Sequence, residues 1–306
     1  MGRGSAMIEE LRRANMRVNI CGLEWKNPVA TAAGTFSARE SGRYYSPDLL
    51  GAVTTKGVSL LPRAGNPTPR IAETCGGMLN AVGLENPGAD AYIEDELKYL
   101  KARGATVISN VAGRSPDEYV EVVRRLSETD ADMLEINVSC PNVSEGGMTL
   151  GVDRNAVASL TRRIKAATNK PVIVKLSPNV TDICDIAAAA EDAGADAVSL
   201  INTLTGMRID AKSGKPVLAN VFGGLSGPAV KPIALAMVYR VARRVRIPVI
   251  GMGGIMTGED AMEFLLAGAT AVAVGTAALL DPCAPPRVAE ELRACVASYR
   301  DPLERF

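Results

Sequence analysis

The chain has 306 residues, of which 47% are hydrophobic and 22% are charged, so it is long and apolar enough to bury a large core. Its 34 basic and 34 acidic residues cancel and only 4% of residues are aromatic, which argues against nucleic acid or an anionic membrane surface as a partner. The six cysteines form no CxxC pair and no metal-ligand cluster, so we expect a reduced cytoplasmic protein without a bound metal.

The amino terminus carries three arginines within residues 1–15 but no apolar segment of the secretory-signal kind. We expect residues 1–15 to be a leader or a disordered terminus, and residues 16–306 to form a single catalytic domain. Residues 264–280 are uncharged, yet they fall short of the roughly 20 residues that a membrane span needs and are interrupted by Gly268 and Gly275. We interpret them as a helix end, a turn and a buried strand.

Short apolar runs alternate with helical patterns along the whole chain. The runs are continuous rather than alternating, as in parallel strands that are covered on both faces; they occupy residues 28–34, 52–58, 106–113, 133–140, 171–178, 197–203, 248–255 and 271–277. The helical patterns occupy residues 91–103, 116–128, 155–167, 182–193, 232–245, 258–267 and 287–299. Ser115 and Pro116 form a helix start signal, with Glu118 in the position of a capping-box glutamate.

Eight strand–helix units in one chain predict an α/β fold of the (β/α)8 TIM-barrel type, in which long loops at the C-terminal face carry the site. An open doubly wound sheet is the alternative. It would place a Gly-x-Gly-x-x-Gly turn after the first strand, where this chain has Ala32, Ala33 and Gly34. The connections at residues 139–151 and 203–229 are long, and both follow strand carboxyl ends.

The fourth strand run ends in Asn137-Val138-Ser139-Cys140-Pro141-Asn142. This places a thiol between amides that donate and accept hydrogen bonds, just before a proline that breaks the strand. The chain contains no histidine, so a general base must be a carboxylate, a lysine, a tyrosine or a cysteine. A buried structural cysteine is the simpler interpretation of Cys140.

Glycines end the last two strand runs, at Gly251-Met252-Gly253-Gly254-Ile255 and at Val274-Gly275-Thr276. Backbone amides at these places commonly bind a phosphate in barrels, although tight turns alone can require the same glycines. Lys56 and Lys175 lie within apolar strand runs, where an ammonium is costly unless it is paired or functional. Together with asparagines near strand ends, these lysines describe a pocket for an anionic, amide-rich ring; the asparagines are Asn80, Asn110, Asn137, Asn142 and Asn202.

Six motifs together are specific to one family: Gly65-Asn66-Pro67-Thr68-Pro69-Arg70, Met78-Leu79-Asn80-Ala81-Val82-Gly83-Leu84, Asn137 to Asn142, Val174-Lys175-Leu176-Ser177-Pro178-Asn179, Ile201-Asn202-Thr203 and Gly223 to Gly227. On these motifs the chain resembles the FMN-bearing catalytic subunit of class 1B dihydroorotate dehydrogenase from about Met16 to Arg300. Cys140 argues against the class 2 enzymes, which use a serine as base, and the first two motifs resemble the NAD-linked 1B type more than the fumarate-linked 1A type.

The resemblance implies a role for each matching residue in the oxidation of (S)-dihydroorotate to orotate, a step of pyrimidine (UMP) biosynthesis. Cys140 would remove the C5 proton while the C6 hydride passes to flavin N5, and Lys175 would lie beside the flavin ring and favour its reduced, anionic form. The residues implied to hold the substrate are Lys56, Asn80, Ala81, Val82, Gly83, Leu84, Asn137, Asn142, Asn202 and Thr203. Those implied to hold one FMN per chain are Ala33, Lys56, Gly57, Asn110, Asn137, Lys175, Ile201, Gly227, Gly253, Gly254, Gly275 and Thr276.

Two positions depart from the family pattern. Ala33 stands where the family usually has a serine, and the loop Ser37-Ala38-Arg39-Glu40 lacks the usual Gly-Phe-Gly. A lost hydroxyl contact at Ala33 would weaken FMN binding by about 1 kcal/mol, whereas a backbone contact would be kept.

In class 1B a second subunit carries FAD and a [2Fe–2S] cluster and passes electrons to NAD+. This chain has neither the cysteine spacing of a cluster nor a dinucleotide fingerprint, which is consistent with a need for that partner. The resemblance therefore implies a heterotetramer that is built on a homodimer of catalytic subunits.

Three other functions stay open at this point. Lys175 is also placed as the nucleophile of a Schiff-base aldolase or decarboxylase. A dihydropyrimidine dehydrogenase-like flavoenzyme shares the Asn-x-Ser-Cys-Pro run, although Asn142 and the motif around Asn80 argue against it. A flavin-carrying scaffold without catalytic activity is the non-enzymatic interpretation.

Overall fold

The computed structural model describes residues 3–139 and 150–300, and its centre is a barrel of eight parallel strands. The strands are β1 (Val29–Thr31), β2 (Val53–Thr54), β3 (Val107–Val111), β4 (Met133–Asn137), β5 (Val172–Lys175), β6 (Ala197–Leu200), β7 (Val249–Met252) and β8 (Ala271–Val274). Each strand pairs with the next along the chain, and β8 pairs with β1. A parallel bridge between Ala30 and Ala52 joins β1 to β2 and closes the ring, which confirms the predicted TIM barrel.

Every predicted strand run contains one barrel strand, but the strands are shorter than the runs. Most strand residues are buried on both faces, as the continuous apolar pattern requires. The predicted runs extend beyond the carboxyl ends of the observed strands, because the chain leaves the hydrogen-bonded sheet there and turns into the βα loops. The segment at residues 264–280 contains a helix end, a turn and β8, as predicted, followed by the short helix Thr276–Leu280.

Helices cover the outside of the barrel, and all seven predicted helices are present. Their bounds are Ala89–Tyr92 continued through Ile93–Leu97 and Lys98–Lys101, then Pro116–Ser127, Arg154–Lys165, Ile183–Asp192, Lys231–Arg244, Gly258–Ala267 and Ala284–Ser298. The segment Ile93–Leu97 has π-helical geometry. Short helical turns lie at Ala38–Ser41, Pro47–Leu49, Leu150–Val152 and Pro228–Val230.

The predicted helix start at Ser115 is confirmed, because its side chain accepts a hydrogen bond from the backbone N–H of Glu118. The Glu118 carboxylate instead pairs with Arg63 at 3.1 Å.

The amino terminus corrects one expectation, since the ordered fold begins well before Met16. Residues Arg3–Arg13 form a helix that packs against the helices Gly258–Ala267 and Ala284–Ser298. Ile8 and Leu11 are completely buried, and the Arg12 guanidinium donates hydrogen bonds to the carbonyl oxygens of Val296 and Tyr299. Of the two alternatives for residues 1–15, a leader or a disordered terminus, this helix contradicts disorder, because two apolar side chains three residues apart dock one face of it. The leader interpretation stays a prediction.

Within the described residues, three β-sheets lie outside the barrel. A hairpin of Val18–Ile20 and Leu23–Trp25 precedes β1. A second, antiparallel sheet, which we call the mouth sheet, has the strand order Leu204–Met207, Phe222–Ser226, Gly77–Asn80 and Ile71–Thr74. The connections after β2 and β6 supply its strands, so it rises from the carboxyl-terminal face of the barrel. A small hairpin of Ile209–Asp210 and Lys215–Pro216 extends the second connection.

Among the helices of the described residues, none combines the length and the apolar character that crossing a bilayer requires.

Candidate active site

A buried polar cluster lies inside the barrel, below its carboxyl-terminal mouth. The carboxylate of Glu135 on β4 accepts hydrogen bonds from Asn110 Nδ2 on β3 at 2.6 Å and from Ser199 Oγ on β6 at 2.7 Å. Lys175 Nζ on β5 lies 3.8 Å from Glu135 Oε1. Because β4 and β6 are not neighbours in the sheet, the bond between Glu135 and Ser199 crosses the barrel interior. The four side chains therefore face the lumen at similar heights.

This cluster fixes the orientation of the Asn110 amide. A carboxylate only accepts hydrogen bonds, so the atom of Asn110 that faces Glu135 must be the NH2 group. The carbonyl oxygen Oδ1 then has no partner among the described residues, although Asn110 is completely buried. It lies beside Gly57, where a Cβ would come within 3.0 Å of it. A buried acceptor without a partner is costly, so this oxygen is suited to receive an N–H from a bound molecule.

Two more asparagines line the rim directly above the cluster. Asn137 is paired in register with Lys175, and its Oδ1 accepts a hydrogen bond from Asn202 Nδ2 at 3.2 Å. The hydroxyl of Tyr119 donates to the carbonyl oxygen of Asn137 at 2.6 Å and anchors the end of β4. The structure therefore brings together Asn137, Lys175 and Asn202, which the sequence predicted separately.

Asn80 of the mouth sheet and Thr203, just before the strand Leu204–Met207, add to this rim. Asn80 Nδ2 donates a hydrogen bond to the carbonyl oxygen of Gly224 at 3.3 Å. Thr203 packs against the same glycine so closely that a Cβ on Gly224 would lie 2.0 Å from Thr203 Oγ1. The rim therefore presents hydroxyl and amide groups from β4, from the loop after β6 and from the mouth sheet.

The predicted phosphate-binding glycines also converge. Gly254 has a φ of +80°, and a Cβ there would lie 2.8 Å from the carbonyl oxygen of Gly227. Thr276 Oγ1 donates to Ser226 Oγ at 2.8 Å, which joins the loop after β8 to the loop that carries Gly227. Within the described residues, the amide N–H groups of Gly253 and Gly254 make no hydrogen bond to the backbone. These donors are thus available to an anion.

The remaining predicted residues border these groups. Ile201 lies near Gly253, Ala32 beside Ala33 lies near Gly275, and Leu84 lies near Gly57. The segment Ala81, Val82, Gly83 and Leu84 is held by backbone hydrogen bonds from Ala81 to Arg70 and from Asn66 to Val82. Cys140 and Asn142 lie outside the described residues. A surface cavity of about 470 Å³ lies elsewhere, and none of the predicted site residues line it; its walls are Glu73, Thr74, Cys75, Met207 and Arg208.

Lys56 has a carboxylate neighbour that the sequence analysis did not single out. Glu96 lies in the π-helical segment Ile93–Leu97, and burial raises its pKa to about 7. A hydrogen bond from the backbone N–H of Ala38 and the charge of Lys56 oppose that rise, whereas Asp95 adds to it. Glu96 therefore changes its charge near neutral pH beside a lysine that the resemblance assigns to the site.

Sequence reasoning also missed Glu135 and Ser199. The signal for Glu135 was present, because it is a charged residue inside an apolar strand run, as Lys56 and Lys175 are. Ser199 gives no such signal, since a serine in a strand is common.

Comparison with known proteins decides the family. The family model described as dihydroorotate dehydrogenase matches residues 15–296. The chain belongs to the dihydroorotate dehydrogenase family. It is 55% identical over 290 residues to a protein of Alkaliphilus metalliredigens, with 94% of this chain and 96% of the relative covered. It is 56% identical over 284 residues to one of Geobacter metallireducens, with 92% and 93% covered.

A third relative of the same family, from Lachnoclostridium phytofermentans, is 57% identical over 277 residues, with 90% of this chain and 92% of the relative covered. All three relatives are named dihydroorotate dehydrogenase B (NAD(+)), catalytic subunit. The family places this chain among the oxidoreductases and agrees with the resemblance that the motifs carried.

Proposed function

We propose that this chain is the catalytic subunit of an NAD+-linked dihydroorotate dehydrogenase, which oxidises (S)-dihydroorotate to orotate at the carboxyl-terminal mouth of the barrel. The names of the relatives support the substrate and the NAD+ linkage. The observation in the structure that carries the proposal is the buried Oδ1 of Asn110, which has no partner among the described residues and lies beside the Glu135–Lys175 pair. It offers one acceptor and one cation to a flat, polar ring.

The residues at the mouth fit FMN. The free N–H groups of Gly253 and Gly254 suit a phosphate, and Asn110 Oδ1 suits the single ring N–H of a flavin. When bound, FMN supplies the acceptor for the hydride of the substrate. The residues that would hold it are those the resemblance implied, namely Ala33, Lys56, Gly57, Asn110, Asn137, Lys175, Ile201, Gly227, Gly253, Gly254, Gly275 and Thr276.

The substrate residues act as a polar clamp with one base. The Lys56 ammonium would pair with the substrate carboxylate, and the amides of Asn80, Asn137 and Asn202 would orient the ring. Cys140, which follows Ser139 in the sequence, would take the proton from C5 as a thiolate. The roles of Cys140 and Asn142 are supported by the sequence resemblance alone. Ala81, Val82, Gly83, Leu84 and Thr203 would complete the pocket.

Lys175 is better suited to charge stabilisation than to Schiff-base formation. A Schiff-base nucleophile must be a neutral amine, whereas the carboxylate of Glu135 beside Nζ stabilises the ammonium. This contact argues against the aldolase interpretation.

The name of the relatives, catalytic subunit, supports the existence of a separate partner. We propose that the partner carries FAD and a [2Fe–2S] cluster and passes the electrons to NAD+, in a heterotetramer that is built on a dimer of this chain. The cytoplasmic location stays a prediction.

The test is anaerobic mixing of the purified, yellow chain with dihydroorotate while the flavin absorbance is followed. We expect rapid bleaching by dihydroorotate and none at comparable concentration by dihydrouracil. Bleaching by dihydrouracil would favour the dihydropyrimidine dehydrogenase-like alternative. A yellow protein that neither compound bleaches would be a flavin carrier. A colourless protein whose Lys175 is trapped by borohydride with a carbonyl compound would instead be an aldolase.

A further inference from the structure

The carboxylate of Glu135 is the only acidic group in the buried cluster of Asn110, Glu135, Lys175 and Ser199. Its side chain is 3% exposed and that of Lys175 is 5% exposed, so water screens neither charge. Three donors converge on it, namely the Asn110 amide, the Ser199 hydroxyl and the Lys175 ammonium. The carboxylate thus accepts two hydrogen bonds, from Asn110 and Ser199, and forms an ion pair with Lys175. A buried charge is tolerated when it is paired and hydrogen-bonded in this way.

The register of the strands shows where Glu135 lies relative to the other residues of the cluster and to the rim. Glu135 is paired with Asn110, and Asn137, two residues further along the same face, is paired with Lys175. Glu135 therefore lies level with Asn110 and one layer below Asn137, where it reaches the two implied flavin residues of the cluster, Asn110 and Lys175. It leaves the rim itself to neutral amides.

The charge of Glu135 offsets that of Lys175, and this affects the reduction of any redox group that binds near the pair. Lys175 alone would contribute a full positive charge in a region of low dielectric, where electrostatic interactions are strong. With Glu135 at 3.8 Å, the pair has a net charge of zero. A positive charge near a flavin favours its reduced, anionic form, so the carboxylate must weaken that effect.

We propose that Glu135 is a positioning residue of the flavin site, which holds Lys175 and Asn110 in place and balances the lysine charge. It thereby keeps the reduction potential of bound FMN below the value that Lys175 alone would set. This inference rests on the proposed function, because it requires FMN at the barrel mouth.

The test is the midpoint potential of FMN in the intact chain, measured anaerobically against reference dyes. Glu135→Gln keeps the volume of the side chain and removes its charge, so the potential should become more positive than in the wild type. The double variant Glu135→Gln/Lys175→Gln removes both charges, so its potential should return towards the wild-type value. Glu118→Gln breaks the half-buried pair with Arg63 away from the cluster and serves as the matched control, with an unchanged potential.

A merely structural role would lower thermal stability in Glu135→Gln and Glu118→Gln alike and would leave the potential of both unchanged. An unchanged or more negative potential in an FMN-loaded Glu135→Gln protein overturns the inference and leaves the proposed function intact. If the single variant does not fold, the folding of the double variant decides, since charge balance predicts that the double variant folds. A double variant that also fails to fold contradicts the inference. FMN uptake by the wild-type protein is measured before any variant is compared. Wild-type protein that takes up no FMN refutes the proposed function itself.

Discussion

At the scale of single residues, Asn110 shows how the barrel interior prepares a binding group. Its NH2 group is held by Glu135, and its carbonyl oxygen is left buried without a partner among the described residues. The amide cannot rotate to satisfy that oxygen without placing it against a carboxylate. The folded protein therefore already bears the free-energy cost of desolvating this oxygen, and a hydrogen bond from a ligand N–H offsets that cost.

Asn110→Ala should weaken FMN binding about tenfold, because one buried hydrogen bond contributes about 1.4 kcal/mol. The measurement is the dissociation constant of FMN, obtained by titrating flavin-free protein. Asn169→Ala, at an exposed asparagine, is the control and should bind FMN as the wild type does. Equal affinity in the two variants would remove Asn110 from the cofactor site.

Cys140→Ser should slow flavin reduction by dihydroorotate by orders of magnitude at neutral pH while FMN stays bound. A thiol has an unperturbed pKa of about 8.5 and a serine hydroxyl ionises far less readily, so the variant lacks a usable base. Rapid-mixing absorbance measurements report this half-reaction alone. Cys283→Ser changes an exposed cysteine and should reduce normally. Wild-type rates in Cys140→Ser would exclude the thiol from proton transfer.

Residue chemistry predicted part of this site. Lys175, Asn110 and Asn137 were found because their polarity contradicts their apolar surroundings or marks a strand end, and the structure brings them together. Glu135 carries the same signal, but its contacts run to β3, β5 and β6, and a sequence does not state which strands face one another across a lumen. Glu96 was missed because an acidic residue in a helical pattern normally indicates a solvated face.

At the scale of elements, the helix Arg3–Arg13 is part of the folded protein. Leu11 is completely buried where the helix meets its neighbours, and Arg12 caps two carbonyl groups near the end of the helix Ala284–Ser298. Leu11→Ala should lower the free energy of unfolding by about 2–5 kcal/mol through the lost burial and the cavity. Urea unfolding measures this loss, and Glu10→Ala, at an exposed position, should cost little. A loss below about 0.5 kcal/mol, the range of surface changes, would show that the helix does not dock in solution.

The π-helical segment Ile93–Leu97 should make stability depend on pH through Glu96. Burial raises its folded-state pKa from an ordinary value of 4.5 to about 7, so the protonated form favours folding. Its contribution is complete below about pH 4.5 and is lost as the pH rises through about 7. Glu96→Gln should therefore raise the melting temperature relative to the wild type at pH 8 and have little effect at pH 5.

The control for that experiment is Glu94→Gln, which changes an exposed carboxylate two residues before Glu96. It should shift the melting temperature equally little at both pH values. A Glu96→Gln protein whose melting temperature differs from the wild type by the same amount at pH 5 and pH 8 would contradict the raised pKa.

Barrel strands were predictable and the mouth sheet was not, for a physical reason. Buried parallel strands are continuous apolar runs, which stand out in any window. The mouth strands have only four or five residues, and Phe222–Ser226 contains two glycines, which have low strand propensity. The central pairing of the sheet joins Phe222–Ser226 to Gly77–Asn80, more than 100 residues away, so no local sequence pattern predicts it.

At the scale of the whole molecule, the closed barrel collects residues from distant parts of the chain at one face. Asn110, Lys175, Asn202 and Gly254 follow one another over about 145 residues of sequence, yet each stands at or near the carboxyl end of a barrel strand. The alternation of strands and helices predicted this convergence, since parallel strands present all their carboxyl ends on one side. The height of each side chain in the lumen depends on the register between strands, which the sequence does not reveal.

The most direct test of the account is a crystal structure of the chain with bound orotate. We predict FMN at the barrel mouth, with its phosphate on the amides of Gly253, Gly254, Gly275 and Thr276, and with orotate between the ring and Asn137. Asn110 Oδ1 should accept a hydrogen bond from the flavin. Flavin bound at any other surface, or orotate held away from the asparagine rim, would contradict the account.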